Sequence, residues 1–123
     1  MEVIIKSGSF SWAATIYDTP TGNLIYQALP LKGAANRWGE EIYFRIPVQA
    51  GLESAASDVV SRGDLGYWPT GNAFCIFFGP TPVSRGKEIR AASAVNVFGR
   101  IEGELSDLNA VNDGDEVVIL KKG

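Results

Sequence analysis

The run Ala73–Phe78 constrains the fold of this chain more than any other segment, because every residue in it is apolar. A half-buried strand alternates apolar and polar residues, whereas a short continuous apolar run is typical of a strand that is covered on both faces. The strand-like segment Asp64–Trp68 and the turn sequence Pro69-Thr70-Gly71-Asn72 precede this run and predict a β-hairpin. We therefore expect a central strand with side chains packed against both of its faces.

The rest of the chain is also predicted to be mostly β, because short apolar runs are separated by clusters of Gly, Pro, Asn and Asp. In Glu41–Val48 the aliphatic residues and Phe44 recur at every second position. One face of this strand should therefore be buried, while Glu41, Tyr43 and Arg45 share the opposite face. Further strands are predicted at Glu2–Lys6, Phe10–Tyr17, Val95–Gly103 and Glu116–Leu120.

Two short helices complete the predicted elements. The first begins with Thr19 as its N-cap and Pro20 at the first helical position, and it ends before Pro30. The second lies at Leu105–Val111, where apolar residues recur at a spacing of three. Seven or eight strands with two short helices fit a closed or nearly closed antiparallel barrel, since closure removes unpaired edges. We predict that residues 1–123 form a single domain of this kind.

The composition excludes several kinds of catalytic site. The chain has no histidine and one cysteine, so a Ser-His-Asp triad, a Cys-His dyad and a histidine-bearing zinc site are impossible, as is an intramolecular disulfide. Cys75 lies inside the apolar run, which indicates a buried thiol rather than a nucleophile. The net charge of −3 argues against broad nucleic-acid binding, which depends on Lys and Arg. We expect no metal and no cofactor.

The compartment can also be predicted from the composition. No segment approaches the roughly 18 consecutive apolar residues that a membrane-spanning helix needs. The residues after Met1 lack the basic region and apolar stretch of a signal peptide. A cytoplasmic protein without a membrane partner is therefore expected, and a single unpaired cysteine fits a reducing compartment.

The face that carries Glu41, Tyr43 and Arg45 is the best candidate for a binding surface. An arginine beside an aromatic residue offers a charged donor fork over an apolar floor, which suits the carbonyl or carboxylate of an extended peptide or a small acid. Two alternatives stay open: Arg45 pairs with Glu41 or with a neighbouring strand, and the large aromatic residues belong to the core. Further candidates for lining this groove are Tyr67, Trp68 and Phe78.

Several segments resemble cyclophilins. Val97-Phe98-Gly99-Arg100-Ile101-Glu102-Gly103 is similar to their late strand, Phe77-Phe78 to the phenylalanine pair of a central strand, and Tyr43-Phe44-Arg45-Ile46-Pro47 to the run that holds their arginine. The chain is more similar still to a family of small, prokaryotic, largely uncharacterised cyclophilin-like proteins, over most of residues 36–120. This resemblance implies an eight-stranded cyclophilin-like barrel. The segments that carry it are Trp38–Phe44, Gly63–Pro69, Ala73–Pro82 and Ala92–Val97.

The resemblance also implies candidate site residues. Cyclophilins are peptidyl-prolyl isomerases, in which an arginine polarises the prolyl amide and an apolar pocket holds the ring. By position, Arg45 matches the catalytic arginine and Phe78 the pocket phenylalanine. Ile76 stands where cyclophilins have a glutamine, and Val95 where they have a histidine. The sequence therefore favours a binding module for a peptide segment or a small acidic ligand, with a weak prolyl isomerase and an inert scaffold as alternatives.

Overall fold

Ten β-strands and one α-helix make up most of the computed structural model, which describes residues 1–123. The strands are β1 (Glu2–Ser7), β2 (Phe10–Ile16), β3 (Leu31–Ala34), β4 (Asn36–Arg37), β5 (Glu41–Arg45), β6 (Ser57–Val60), β7 (Asp64–Trp68), β8 (Ala73–Phe77), β9 (Ile89–Ile101) and β10 (Glu116–Lys121). The α-helix is α1 (Pro20–Ala28), and short 3-10 helices span Pro69–Gly71 and Ser106–Ala110.

The strands form one antiparallel sheet with an open hydrogen-bonding path. The path runs β3-β10-β1-β2-β9-β7-β8-β5-β4, and β6 pairs with β9 beside it. Its two ends come close where β3 meets β5, because a Cβ at Gly33 would lie 2.7 Å from the ring of Phe44. The predicted mostly β, antiparallel architecture is confirmed. Closure into an eight-stranded barrel is not, since no hydrogen-bonded strand pair joins β3 to β4.

Most elements with a regular pattern lie close to where they were predicted, but β9 begins at Ile89, six residues before the strand predicted at Val95–Gly103. The hairpin of β7 and β8 is confirmed, and Asn72 closes its turn in the left-handed conformation at φ 47°. The strand at Glu41 ends at Arg45 rather than Val48, because the N–H of Ile46 donates to the carbonyl of Asn72 instead of a neighbouring strand. The second predicted helix is a 3-10 helix, which agrees with its apolar spacing of three.

Helix α1 is held at its N-terminus by side chains. Thr19 is the N-cap, and its hydroxyl accepts a hydrogen bond of 3.0 Å from the N–H of Gly22. The Glu53 carboxylate accepts from the N–H and the hydroxyl of Thr21. Asn96 on β9 bonds to Glu53 and to the carbonyl of Gly51, so the loop between β5 and β6 is tied to both elements. The helix is neither long nor apolar enough to cross a membrane.

Strand β8 separates two apolar cores, as its continuous apolar sequence predicts. Phe74 belongs to the principal core, where its ring centroid lies 5.2 Å from that of Phe44 and 5.1 Å from that of Phe98. The alternate residues of β8 face a smaller core on the other side of the sheet. We call this the outer core, and its members are Val60, Ala73, Cys75, Phe77, Ile89, Ala91 and Val95.

The close approach of β2 and β9 yields a test of the fold. Gly99 pairs with Ile16, and a Cβ on Gly99 would overlap the carbonyl oxygen of Thr15. Gly99→Ala should therefore lower the free energy of unfolding by about 1–3 kcal/mol, because the two strands must move apart. Gly51→Ala is the control, since nothing lies within 4 Å of a Cβ there. Urea denaturation measures both, and equal losses would contradict this packing.

Candidate functional site

A cavity of about 270 Å³ lies over the outer face of β5 and β8, beneath the first half of β9. Aromatic side chains and small apolar ones line most of it, and one carboxyl and one thiol complete the lining. We call this cavity the outer pocket. Its lining residues are Trp38, Glu41, Tyr43, Trp68, Cys75, Ala91, Ala92 and Val95.

Strand alternation places the pocket residues of β5 and β8 side by side. Ile42 and Phe44 point into the principal core, so Glu41 and Tyr43 point to the outer face, as predicted. In the register of the two strands Tyr43 is directly opposite Cys75. The carboxyl and the thiol therefore enter the pocket from neighbouring strands.

A bulge in β9 forms the other side of the pocket. Ser57 on β6 pairs with Val95 while Val59 pairs with Arg90, so Ala91–Ala94 stand against Asp58 alone. Extra residues of this kind bend a strand and are common beside functional sites. The bulge brings two alanines to the pocket, and the sequence pattern did not predict it.

Polar contacts on both sides hold this bulge in place. The indole N–H of Trp68 donates to Ser93 Oγ at 2.6 Å, which ties the pocket wall to the bulge. Arg90 forms salt bridges of 2.7 Å with Asp58 and 2.8 Å with Glu88. The pocket is therefore built on strands and anchored segments instead of a free loop, which favours a preformed shape.

Glu41 is the only charged residue of the outer pocket, and it is 6% exposed. It forms no salt bridge, and no Lys or Arg lines the cavity. Burial raises the pKa of Glu41 from 4.5 to about 7, and the neighbouring Cys75 thiol offsets part of this rise. Near neutral pH the carboxyl is therefore divided between its charged and neutral forms.

Cys75 is a buried donor and a poor nucleophile. Burial raises the pKa of its thiol well above the ordinary value, and the charge of Glu41 raises it further. The sulfur lies 3.9 Å from the carbonyl oxygen of Ala73 and beside the Glu41 carboxyl. The thiol thus stays protonated, as a hydrogen-bond donor within the pocket.

The structure brings three of the six predicted ligand-binding residues together. Glu41, Tyr43 and Trp68 line the outer pocket. Tyr67 is fully buried, and its hydroxyl donates to the carbonyl of Val48 at 2.6 Å. Arg45 is exposed at the end of β5 and forms no salt bridge with Glu41.

Phe78 belongs to the principal core and not to the outer face. It is fully buried, and the guanidinium of Arg37 lies 5.1 Å from its ring centroid. Arg45 pairs with Ala73 at the start of β8, whereas Phe78 follows the end of that strand. Five residues of extended chain correspond to about 17 Å, so the two candidate catalytic residues lie far apart.

The pocket residues that the sequence interpretation missed are Trp38, Cys75, Ala91, Ala92 and Val95. Trp38 precedes β5 in a tight turn closed by hydrogen bonds between Trp38 and Glu41. The sequence does contain a signal for Trp38, because this aromatic residue lies just before the strand whose outer face carries Glu41 and Tyr43. The alanines carry no such signal, because they reach the pocket through the bulge.

Three other cavities are larger than the outer pocket, but fewer than half of the residues that line each of them are hydrophobic. The largest of the three is an open depression of about 660 Å³ at the turn between β1 and β2. Its charged residues Lys6, Asp115 and Glu116 are all exposed. Nowhere in the chain do three Cys, Asp or Glu side chains group in a way suited to a metal ion. The outer pocket therefore remains the candidate site.

Comparison with known proteins agrees with this fold. A model of the cyclophilin-like family matches residues 1–120. The solution structure of the hypothetical protein AF2241 from Archaeoglobus fulgidus is 44% identical, with a TM-score of 0.83 over 99% of this chain and 95% of that one. The structure of McbB in complex with tryptophan has a TM-score of 0.72 at 13% identity, over 98% of this chain and 45% of McbB, which is a likeness of fold alone. No curated protein matches the chain.

The raised pKa of Glu41 predicts how stability depends on pH. Its pKa is about 7 in the fold and about 4.5 in the unfolded chain, so the folded state binds more protons between these values. The free energy of unfolding should therefore fall as pH rises through this window, by about 3 kcal/mol in all from this group. Glu41→Gln cannot titrate and should lose this part of the decline.

Urea denaturation at about pH 5 and pH 8 measures the effect as a difference between variants. Glu40→Gln is the matched control, because the adjacent Glu40 does not line the pocket. It should retain the decline of the unmodified protein. A pH profile of Glu41→Gln that is identical to that of the unmodified protein would contradict the assignment.

Proposed function

Since this chain belongs to the cyclophilin-like family, we propose that it is a binding module that holds a small, mostly apolar molecule in the outer pocket. Ligand pockets are concave and mostly apolar, with a few polar groups that orient the ligand. The outer pocket has this composition: aromatic and aliphatic walls surround a single ionisable carboxyl.

The observation that carries the proposal is the burial of Glu41 without a cationic partner. Removing a carboxyl from water costs free energy unless a cation or several hydrogen-bond donors replace the water. The neighbouring residues that fill the outer core are apolar, and an apolar residue at this position would avoid that cost. Polar groups that a fold retains at such a cost concentrate at functional sites.

The size of the cavity limits the ligand. A volume of about 270 Å³ lies just below the usual range for ligand pockets, which begins near 300 Å³. A single ring with a short substituent fits this space, whereas an extended peptide does not. The flat side chains of Trp38, Tyr43 and Trp68 suit a planar or alkyl group. We therefore propose a small molecule in place of a peptide segment.

The charge of the pocket also restricts the charge of the ligand. The sequence interpretation assigned Arg45 as the anchor for an acidic ligand, but Arg45 does not line the outer pocket. A ligand carboxylate would instead meet Glu41, and two carboxylates repel each other in an environment of low polarity. A neutral or basic ligand is therefore the better complement.

A weak prolyl isomerase remains the alternative function. In the mechanism that the resemblance implies, an arginine must act on an amide whose ring occupies the phenylalanine pocket. Arg45 and Phe78 lie near opposite ends of β8, and Phe78 has no exposed surface. This arrangement favours the binding module.

The proposal also includes a cytoplasmic location. The chain has one cysteine, and Cys75 is free and buried. Cytosolic proteins keep their thiols reduced, whereas small secreted domains commonly depend on disulfides. This composition suits a reducing compartment.

Removing one wall of the pocket tests the proposal. The probe is 2-phenylethanol, a neutral molecule with one ring, and NMR titration of the protein measures its dissociation constant. Tyr43→Ala should weaken binding by about fivefold, because loss of an aromatic contact costs on the order of 1 kcal/mol. Tyr17→Ala is the matched control outside the pocket. Binding that survives Tyr43→Ala but is lost in Arg45→Ala would favour the groove inferred from the sequence.

A protease-coupled proline assay tests the alternative function. We expect no acceleration of prolyl isomerisation at micromolar protein, since Arg45 and Phe78 share no surface. Acceleration that Arg45→Ala abolishes would contradict this expectation and support the isomerase.

A further inference from the structure

We infer that the ligand of the outer pocket carries a protonated amine and that Glu41 is its counter-ion. The inference rests on the proposed function, because it names the chemical class of the ligand for the same site. It does not follow from membership of the family, and the residues that carry it are Trp38, Glu41, Tyr43 and Trp68.

The first step is the combination of side chains around the carboxyl. Trp38 precedes β5, Tyr43 lies within it, and Trp68 ends β7, so three separate positions supply aromatic rings to one small cavity. The faces of such rings attract a cation that approaches within about 6 Å. Aromatic walls with a carboxylate between them complement an organic cation better than any other charged group.

The second step is the electrostatic balance of the pocket. Burial raises the pKa of the Cys75 thiol and keeps it neutral, and no Lys or Arg lines the pocket, so Glu41 has no partner charge there. The nearest cations along the chain are engaged elsewhere or exposed. Arg90 pairs with Asp58 and Glu88, and Arg37 donates to the carbonyls of Gly39 and Val111. A positively charged ligand would supply the missing partner.

The third step concerns where the cost of desolvation falls. Folding has already removed Glu41 from water, since only 6% of the residue is exposed. A ligand cation therefore pairs with a carboxylate that has already lost its water during folding. Their attraction is strong because the pocket has a low dielectric constant. A neutral ligand gains little from this arrangement, and an anion is repelled.

The polar contacts of the wall support the same class of ligand. The N–H of Trp68 is engaged by Ser93 Oγ, so it does not face the cavity as a free donor. The carboxylate of Glu41 is an acceptor when ionised. A ligand that donates hydrogen bonds and carries a positive charge complements both the acceptor oxygens and the negative charge of this carboxylate.

Three probes with the same ring distinguish the ligand classes. They are 2-phenylethylamine, which is a cation at neutral pH, 2-phenylethanol, which is neutral, and phenylacetate, which is an anion. Isothermal titration calorimetry at about pH 8 should give a dissociation constant at least tenfold lower for the amine than for the alcohol. Phenylacetate should not bind. In Glu41→Gln the amine should lose this advantage over the alcohol.

Glu40→Gln is the matched control and should keep the preference for the amine, because Glu40 lies outside the pocket. A second measurement needs no variant. An alkylamine stays protonated at pH 5, whereas Glu41, with a pKa near 7, is neutral there. The preference of the unmodified protein for the amine over the alcohol should therefore fall towards unity at pH 5.

The possible results separate the two proposals. Equal affinity for the amine and the alcohol at pH 8 would overturn the inference and leave the binding module intact. A preference that survives both Glu41→Gln and pH 5 would also overturn it, since the counter-ion would lie elsewhere. Failure of all three probes to bind the unmodified protein would overturn the proposed function itself.

Discussion

Burial of β8 on both faces is the constraint on which the rest of this structure depends. Alternate residues of Ala73–Phe77 point into two different cores, so this one strand contributes side chains to both of them. The principal core is covered by the remainder of the sheet. The outer core needs a separate cover, which β6 and the first half of β9 provide. A strand that is apolar throughout thus requires the chain to fold back over the outside of its own sheet.

That cover also creates the candidate site. Without it, Glu41 and Tyr43 would be solvated residues on the outer face of an edge-proximal strand. Beneath it, the carboxyl loses its water, and Gly66 leaves room for the cover because a Cβ there would lie 2.9 Å from Val95. A desolvated carboxylate lowers the free energy of unfolding, and functional sites commonly reduce stability in this way.

The cyclophilin-like family relationship concerns the fold more than the site. The match spans residues 1–120, yet Arg45 and Phe78, which resemble isomerase residues by position, lie on different faces of the sheet. A fold accommodates unrelated functions when different surfaces carry the chemistry. Here the aromatic and ionisable residues gather in the outer pocket, and the proposed function follows from that pocket.

Local periodicity in the sequence determined the face of Glu41 and Tyr43, the hairpin of β7 and β8, and the N-cap of α1, because each depends on residues close together along the chain. The short strands β3, β4 and β6 lack a repeating pattern, so the sequence did not indicate them. Strands β3 and β6 pair with residues distant in the chain, and β4 has only two residues. Only the tertiary structure decided that Phe78 belongs to the principal core and not to a binding groove, and that the bulge at Ala91–Ala94 closes over Glu41. Solvent access to a side chain depends on which distant segment packs against it, and local sequence periodicity does not indicate which segment that is.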